Sequence, residues 1–316
     1  MRVLVTGAGG FLGYETTRSL AERGDTVIAF DTAFGKPLLR LAGDSPQVRV
    51  EAGDLTDLAN LVQVFEAHRP EAVVHLAAVV GVPASLGSPS NIVRVNVQGS
   101  LNLFDAMRLF KVARVIHMST EEVYGDFEQA CASEDHPQRP TNPYGITKLA
   151  VEHFGRSYGQ FHGLECINLR TSWVYGIGLD RPRPPMNYLE AALTGRSIDL
   201  PSGGDTVIDY AYVDDVVAGI LLALDHQAHR HDVYNLASGQ GVSDREMIEE
   251  IRLLLPEARL RVGPGLRPYS SGHRMPVKGA LDCSRAREEF GYVPRFDIRR
   301  GLAEYVNRWR ERGAVS

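Results

Sequence analysis

A chain of 316 residues, 44% hydrophobic and 23% charged, can hold one large domain or a nucleotide-binding domain with a smaller one grafted on, and it lies outside the disordered and fibrous classes. Its net charge of −5 gives no broad attraction to nucleic acid or to an anionic membrane, so neither is expected as a partner. Three scattered cysteines, Cys131, Cys166 and Cys283, form neither a disulfide framework nor a metal spacing, so a reducing cytoplasm is the expected location.

The first strand is predicted at 2–6, directly after Met1, which leaves no room for a secretory leader. No apolar run approaches the ~20 residues that span a bilayer. Further strands are predicted at 26–30, 47–50, 72–76, 113–119, 164–170 and 233–236, with helices near 11–23, 57–67, 91–110, 145–161 and 214–224 between them. Short β-branched runs alternating with helical patterns give parallel βαβ units. Right-handed crossovers then make the fold α/β, a Rossmann doubly wound sheet.

The texture changes after residue 174. Pro182, Pro184 and Pro185 precede a helix near 186–194, and short helices at 243–255 and 282–290 flank a Pro/Gly-rich run at 263–276. The expected organisation is a Rossmann domain at 1–173 with returns at about 206–237. A smaller α+β substrate lobe covers 174–205 and 238–296, and a C-terminal helix covers 297–316. The helices at 91–110 and 145–161 are apolar on more than one face, wider than the ~100° stripe that a sheet alone would cover. They are therefore expected to form a homodimer contact.

The run Val5-Thr6-Gly7-Ala8-Gly9-Gly10-Phe11-Leu12-Gly13 follows a strand and opens a helix. Gly7 permits a tight turn, Gly10 lets backbone approach a pyrophosphate, and Gly13 allows close helix–sheet packing. The phosphates would lie at the helix N-terminus, where free N–H groups favour negative charge. Asp31, 18 residues after Gly13, ends the second strand, where a carboxylate can bind the adenine ribose and repel a 2′-phosphate. Asp54, with Leu55, suits the adenine edge after the third strand. The expected cofactor is NAD. His226, His229 and His231 lack the spacing and neighbours of a ligand set, so no metal is expected.

Tyr144 and Lys148 are i and i+4 on one helix and share a face. A Lys ammonium beside a phenol favours the phenolate, lowering a pKa of ~10, so Tyr144 can take a proton from a substrate hydroxyl. The fifth strand ends in Ser119-Thr120, where a third catalytic member would stand.

These pieces resemble the extended short-chain dehydrogenases/reductases, specifically the NAD-dependent epimerase/dehydratase family. The resemblance is carried by the glycine turn, His75-Leu76-Ala77-Ala78, Asn96, Ser119-Thr120-Glu121-Glu122-Val123-Tyr124-Gly125, Pro143-Tyr144-Gly145 with Lys148, Leu169-Arg170, Val174-Tyr175-Gly176 and Tyr212-Val213-Asp214-Asp215-Val216. It implies that Thr120 hydrogen-bonds the reacting hydroxyl and that Ala77 and Ala78 line the cofactor. Phe11, Leu12, Leu76, Asn96, Ser119 and Lys148 join the same cofactor set. Glu122 stands where the family's dehydratases carry a base, and Glu121 where the 4,6-dehydratases carry an aspartate acid. The pair can equally be buried carboxylates bonding backbone N–H groups.

Two departures stand out. Trp173 occupies a position usually held by asparagine, and Ile208 one usually held by a diphosphate-pairing arginine, which argues against a nucleotide-diphosphate handle. Substrate contacts are expected from Val80, Val82, Ser85, Trp173, Met186, Tyr188 and Arg274, beside Thr120. Three functions stay open: a sugar or nucleotide-sugar epimerase or dehydratase, a net dehydrogenase on a smaller polyol or sugar acid, and a non-catalytic NAD-binding sensor. The substrate is expected to be carbohydrate-like.

Overall fold

A computed structural model describes residues 1–268 and 274–314. Seven parallel strands form the main sheet, in the order Val233–Leu236, Glu165–Thr171, Arg114–Thr120, Ala72–His75, Arg2–Thr6, Thr26–Asp31, Val48–Ala52. All seven predicted strands are present.

Strand periodicity decides the layers. Val3, Val5, Val27, Ala29, Val74 and Ile116 face one apolar cluster. Leu4, Ile28, Phe30, Val73 and Val115, one position out of phase, face the other. Alternate residues point to opposite faces, so a strand apolar at every position must be covered on both sides. Helix Val213–Asp225 packs with helix Phe11–Glu22 on one side, and Leu58–His68 packs with Gly99–Phe110 on the other.

Local chemistry sets the helix ends. Asp57 accepts from Ala59 N and Asn60 N to start Leu58–His68. Gly163, at φ +72°, ends Pro143–His162 in the left-handed conformation that glycine adopts freely. Ser243 and Glu246 form a capping box at the start of Asp244–Leu254.

The predicted helix at 91–110 is three joined pieces. Pro89–Ile92 and Gly99–Phe110 are α-helical, and Val93–Gln98 between them is a π-helix. Two short helices were not predicted, Lys36–Asp44 and Val82–Gly87, each with a proline in its first turn. Within the expected returns at 206–237, Val207–Tyr212 does not rejoin the main sheet. It pairs with Trp173–Tyr175 and Gly241–Ser243 in a separate three-stranded sheet. Strand propensity cannot distinguish one sheet from the other, because pairing partners are a tertiary matter. The predicted C-terminal helix is Ile298–Ala314. Residues 315–316 of that prediction and residues 269–273 of the Pro/Gly-rich run lie outside the described residues.

Candidate active site

The glycine turn joins strand Arg2–Thr6 to helix Phe11–Glu22. Gly7 has φ +74°, and a Cβ there would lie 2.5 Å from Ala77 N, so the turn presses on the end of the fourth strand. A Cβ on Gly13 would lie 2.0 Å from Gly7 O, which makes helix and turn touch. Gly9, which the sequence reading passed over, is equally constrained, with a Cβ 2.1 Å from Ala33 O. Gly10 is different: among the described residues a Cβ there meets only Gly7 O, at 3.2 Å, so the space beside it is otherwise open. Gly10 is also the helix N-cap, and no side chain caps that first turn. An open cradle over free helix N–H groups fits a pyrophosphate. Asp31 stands at its rim, with Oδ2 accepting from Gly9 N at 2.9 Å and Oδ1 from Thr32 N at 2.7 Å.

Other residues of the predicted cofactor set differ in their surroundings. Phe11, Leu12, Leu76, Ala77 and Ala78 are half-buried, and Leu55 is buried. Asp54 Oδ1 accepts from Thr56 N at 2.8 Å. Asn96 is used internally: its Oδ1 accepts from Val79 N at 2.7 Å, and its Nδ2 donates to Val79 O and to Thr147 Oγ1. It holds the loop that follows the fourth strand, and the π-helix presents it there. Ser119 is also turned inward, donating to Glu152 Oε1 at 2.5 Å.

Helix Pro143–His162 begins with Asn142, whose Oδ1 accepts from Gly145 N at 2.9 Å and whose Nδ2 donates to Glu122 Oε2 at 2.8 Å. One side chain therefore caps the helix and anchors a carboxylate. A Cβ on Gly145 would lie 2.6 Å from Glu122 O, so the helix packs directly on the turn Glu121–Val123. Tyr144 is thereby held beside Thr120, which hydrogen-bonds it, and near Glu122.

The electrostatics differ from the expectation for this pair. Burial, then Glu122, pushes the Tyr144 phenol up to about 12, while Arg181, the Thr120 hydrogen bond and Arg183 pull the other way. Burial brings the Lys148 ammonium down to about 8. Lys148 Nζ donates to Met118 O at 2.7 Å and lies 3.4 Å from His117 Nε2. Lys148 is thus not among the main groups that set the phenol: desolvation is the largest influence and raises it, while the ammonium is bonded to Met118 O. His117 was missed. A period of two places it on the same strand face as Ser119, which is a signal the sequence carried.

Glu121 and Glu122 differ in environment. Burial pushes Glu121 up to about 7; Lys278 lowers it, Glu122 raises it, and the Ser172 hydroxyl, donating to Oε2 at 2.8 Å, lowers it. Its Oε1 is buried without a partner among the described residues. Lys278, also buried, donates to Glu121 O and Gly125 O and lies 3.6 Å from Glu122 Oε2. Nothing local in the sequence points to Lys278, which is 156 residues from Glu122. One consequence concerns stability. Between pH ~4.5 and about 7 the folded protein holds a proton on Glu121 that the unfolded chain has released, so this group's contribution falls as pH rises across that window. Glu121→Gln should therefore stabilise the protein at pH 8 by on the order of 2 kcal/mol and change little at pH 4. Equal denaturation midpoints for variant and parent at pH 8 would contradict this.

The predicted substrate residues do not all converge. Val80 is 39% exposed at the end of the loop held by Asn96, and Trp173 is half-buried. Val82 is buried and Ser85 donates to Val82 O, closing the short helix they belong to. Met186 and Tyr188 are core residues, and the Tyr188 hydroxyl donates to Asp244 at 2.8 Å. Arg274 is 60% exposed and pairs with Asp126 at 2.6 Å. The helix that carries Met186 and Tyr188 packs both of them into the core. Among the described residues no group of three or more His, Cys, Asp and Glu could hold a metal.

Residues 3–237 match the NAD dependent epimerase/dehydratase family. The dTDP-glucose 4,6-dehydratase of Streptomyces antibioticus is 32% identical over 99% of this chain and 94% of its own length. The UDP-glucose 4-epimerase of Thermotoga maritima, solved with UDP-glucose, superposes with a TM-score of 0.87 at 28% identity, covering 99% of each chain. A dTDP-glucose 4,6-dehydratase of Streptomyces venezuelae, crystallised with NAD, gives a TM-score of 0.86 at 28% identity over 99% of this chain and 98% of the other.

Proposed function

The chain belongs to the NAD dependent epimerase/dehydratase family and is an NAD-dependent enzyme; from that premise we propose that it oxidises a hydroxyl of a sugar or nucleotide sugar, with Tyr144 as the base. NAD, when bound, supplies the two-electron acceptor and donor. The cradle at Gly7, Gly10 and Gly13 and the carboxylate of Asp31 would hold it. Tyr144 would take the hydroxyl proton, with Thr120 aligning that hydroxyl. Lys148, with two of its three donors on Met118 O and toward His117, would keep the third for a cofactor ribose hydroxyl.

The observation that carries the choice of chemistry is the unequal carboxyl pair beside Tyr144. Burial keeps Glu121 protonated to about pH 7, and it can donate a proton to a leaving hydroxyl. Glu122, held by Asn142 and near Lys278, can remove a proton from carbon next to the new carbonyl. Dehydration with internal return of the hydride follows from that pairing. A screen of nucleotide sugars, free sugars, sugar acids and polyols, monitoring both NADH absorbance and product structure, tests it. Turnover without free NADH supports an epimerase or dehydratase; sustained NADH release would replace it with a net dehydrogenase. NAD binding with no turnover across the panel would favour a sensor.

Asp31 is proposed to read the adenine ribose. Asp31→Ala should weaken NAD binding at least tenfold while changing NADP affinity little. Equal losses for both would show that Asp31 acts only through the Gly9 turn it braces. The proposed division of labour gives 1–173 and the returns to the cofactor and 174–205 with 238–296 to the substrate.

A homodimer is proposed through the paired helices. Val93, Leu109, Ile146, Phe154 and Phe161 on them are 51%, 56%, 53%, 39% and 69% exposed, and the two helices lie side by side. Such a row of large apolar side chains fits a buried contact with a second copy. A monomer mass by light scattering at micromolar concentration would rule it out. Among the described residues no helix is long and apolar enough to cross a membrane. The free cysteines, two of them buried, support the proposed reducing cytoplasm.

A further inference from the structure

Four residues after strand Trp173–Tyr175 the chain reads Asp180-Arg181-Pro182-Arg183-Pro184-Pro185. Proline after each arginine disfavours helix there and leaves the two cations next-but-one in an irregular segment. The Arg183 guanidinium lies over the Trp173 indole, 4.9 Å from its centroid, with Nη2 donating to Val174 O at 2.9 Å. Arg181 reaches across to the loop after the fourth strand, where its Nη1 is 3.4 Å from the place a Cβ on Gly81 would occupy. On the same indole, the Arg267 guanidinium carbon lies 5.8 Å from the centroid, paired with Asp244 and with its Nη1 buried and unpartnered among the described residues.

Neither Arg181 nor Arg183 has a carboxylate ion-pair partner among the described residues. Two unpaired guanidinium groups placed together oppose one another. Burial, then Arg181, brings Arg183 down to about 10. Both charges also act on the Tyr144 phenol, so they stand beside the reacting group. A guanidinium stacked on an indole is fixed in orientation and presents a planar fork of donors suited to carboxylate or phosphate.

We propose that Arg183, plated on Trp173, and Arg181 beside it bind an oxyanion of the substrate, a carboxylate on the sugar or a phosphate attached to it. This rests on Tyr144 being the reacting residue and names the substrate class of that site as acidic. It accounts for both departures from the family pattern. Trp173 serves as the stacking plate, and Ile208, fully buried in the core, needs no arginine because the charge comes from a different segment.

The protein has two tryptophans, Trp173 and Trp309, so Trp309→Phe leaves Trp173 as the only indole emitter. That protein is titrated with glucuronate, with UDP and with glucose, and NAD binding is followed separately by calorimetry. At least one of the two oxyanions should perturb Trp173 emission, with glucose at least tenfold weaker. A response to glucuronate places the anion on the sugar; a response to UDP places it in a diphosphate. Arg183→Met should weaken the responding oxyanion at least tenfold, Arg183→Lys less, and Arg181→Met measurably, all with NAD affinity unchanged. Glucose binding as tightly as both oxyanions, or Arg183→Met within twofold of the parent, would overturn the proposal. Should Arg183→Met fail to bind NAD, the exposed Arg181→Met decides, and unchanged oxyanion affinity there overturns it. Failure of the parent to bind NAD would instead bring down the reading of the site as a whole.

Discussion

Tyr144→Phe is expected to lower turnover by ~10²–10⁴-fold, the usual span for loss of a positioned acid–base group, while NAD still binds. The ring is 8% exposed and packs at the start of its helix, so phenylalanine preserves the packing and removes only the hydroxyl. That hydroxyl is bonded by Thr120 and lies near Glu122, Arg181 and Arg183, the groups whose charges set its protonation. Steady-state rates on the substrate found by screening, with calorimetric NAD affinity, give the measurement. A rate within tenfold of the parent would remove Tyr144 as the base.

The second large effect is on stability. Arg170→Leu is expected to destabilise the fold by ~3–5 kcal/mol, the cost of leaving one partner of a buried ion pair uncompensated. Arg170 and Glu152 are both fully buried, joined through Nε at 3.0 Å and Nη2 at 2.6 Å. Arg170 also donates to Glu134 O at 3.2 Å and lies 4.8 Å over the Tyr124 ring. Without it, Glu152 keeps Ser119 at 2.5 Å and a looser Arg156 at 3.8 Å, too little for a buried carboxylate. The damage reaches the site, since Ser119 precedes Thr120 and Glu152 follows Lys148 by one helical turn. Adding Glu152→Gln should recover much of the loss, because removing both charges leaves no unpaired ion. Denaturant unfolding measures both variants; a loss under 1 kcal/mol for Arg170→Leu would refute the account.

Much of this molecule is written locally. The glycine turn shows as strand, Gly7-x-Gly9-Gly10-x-x-Gly13 and helix, because a tight turn, an open cradle and a close helix approach each demand a missing side chain. The alternation of apolar strands with helices is enough for the doubly wound sheet, since crossover handedness leaves few topologies. Tyr144 and Lys148 are legible because i and i+4 share a helix face whatever surrounds them.

What was misread depended on neighbours distant in sequence. Strand propensity at 207–212 is real, but its partners lie at 173–175 and 241–243, so its sheet could not be read from its own residues. Tyr188 was expected as a substrate contact, and its hydroxyl is bonded to Asp244, 56 residues away. The pKa of Tyr144 could be argued from Lys148, yet burial and Glu122 decide it, and burial is a property of the packed whole. Lys278 beneath the carboxyl pair, and Arg183 on Trp173, have no periodicity to announce them.

The sequence by itself determined the fold class, the glycine turn and the Tyr144–Lys148 spacing, because these rest on short-range geometry and backbone sterics. Only the tertiary structure decided which charges meet at the site, which are buried and which lack a partner. Electrostatic energy depends on distance and desolvation through space, and neither is encoded in separation along the chain.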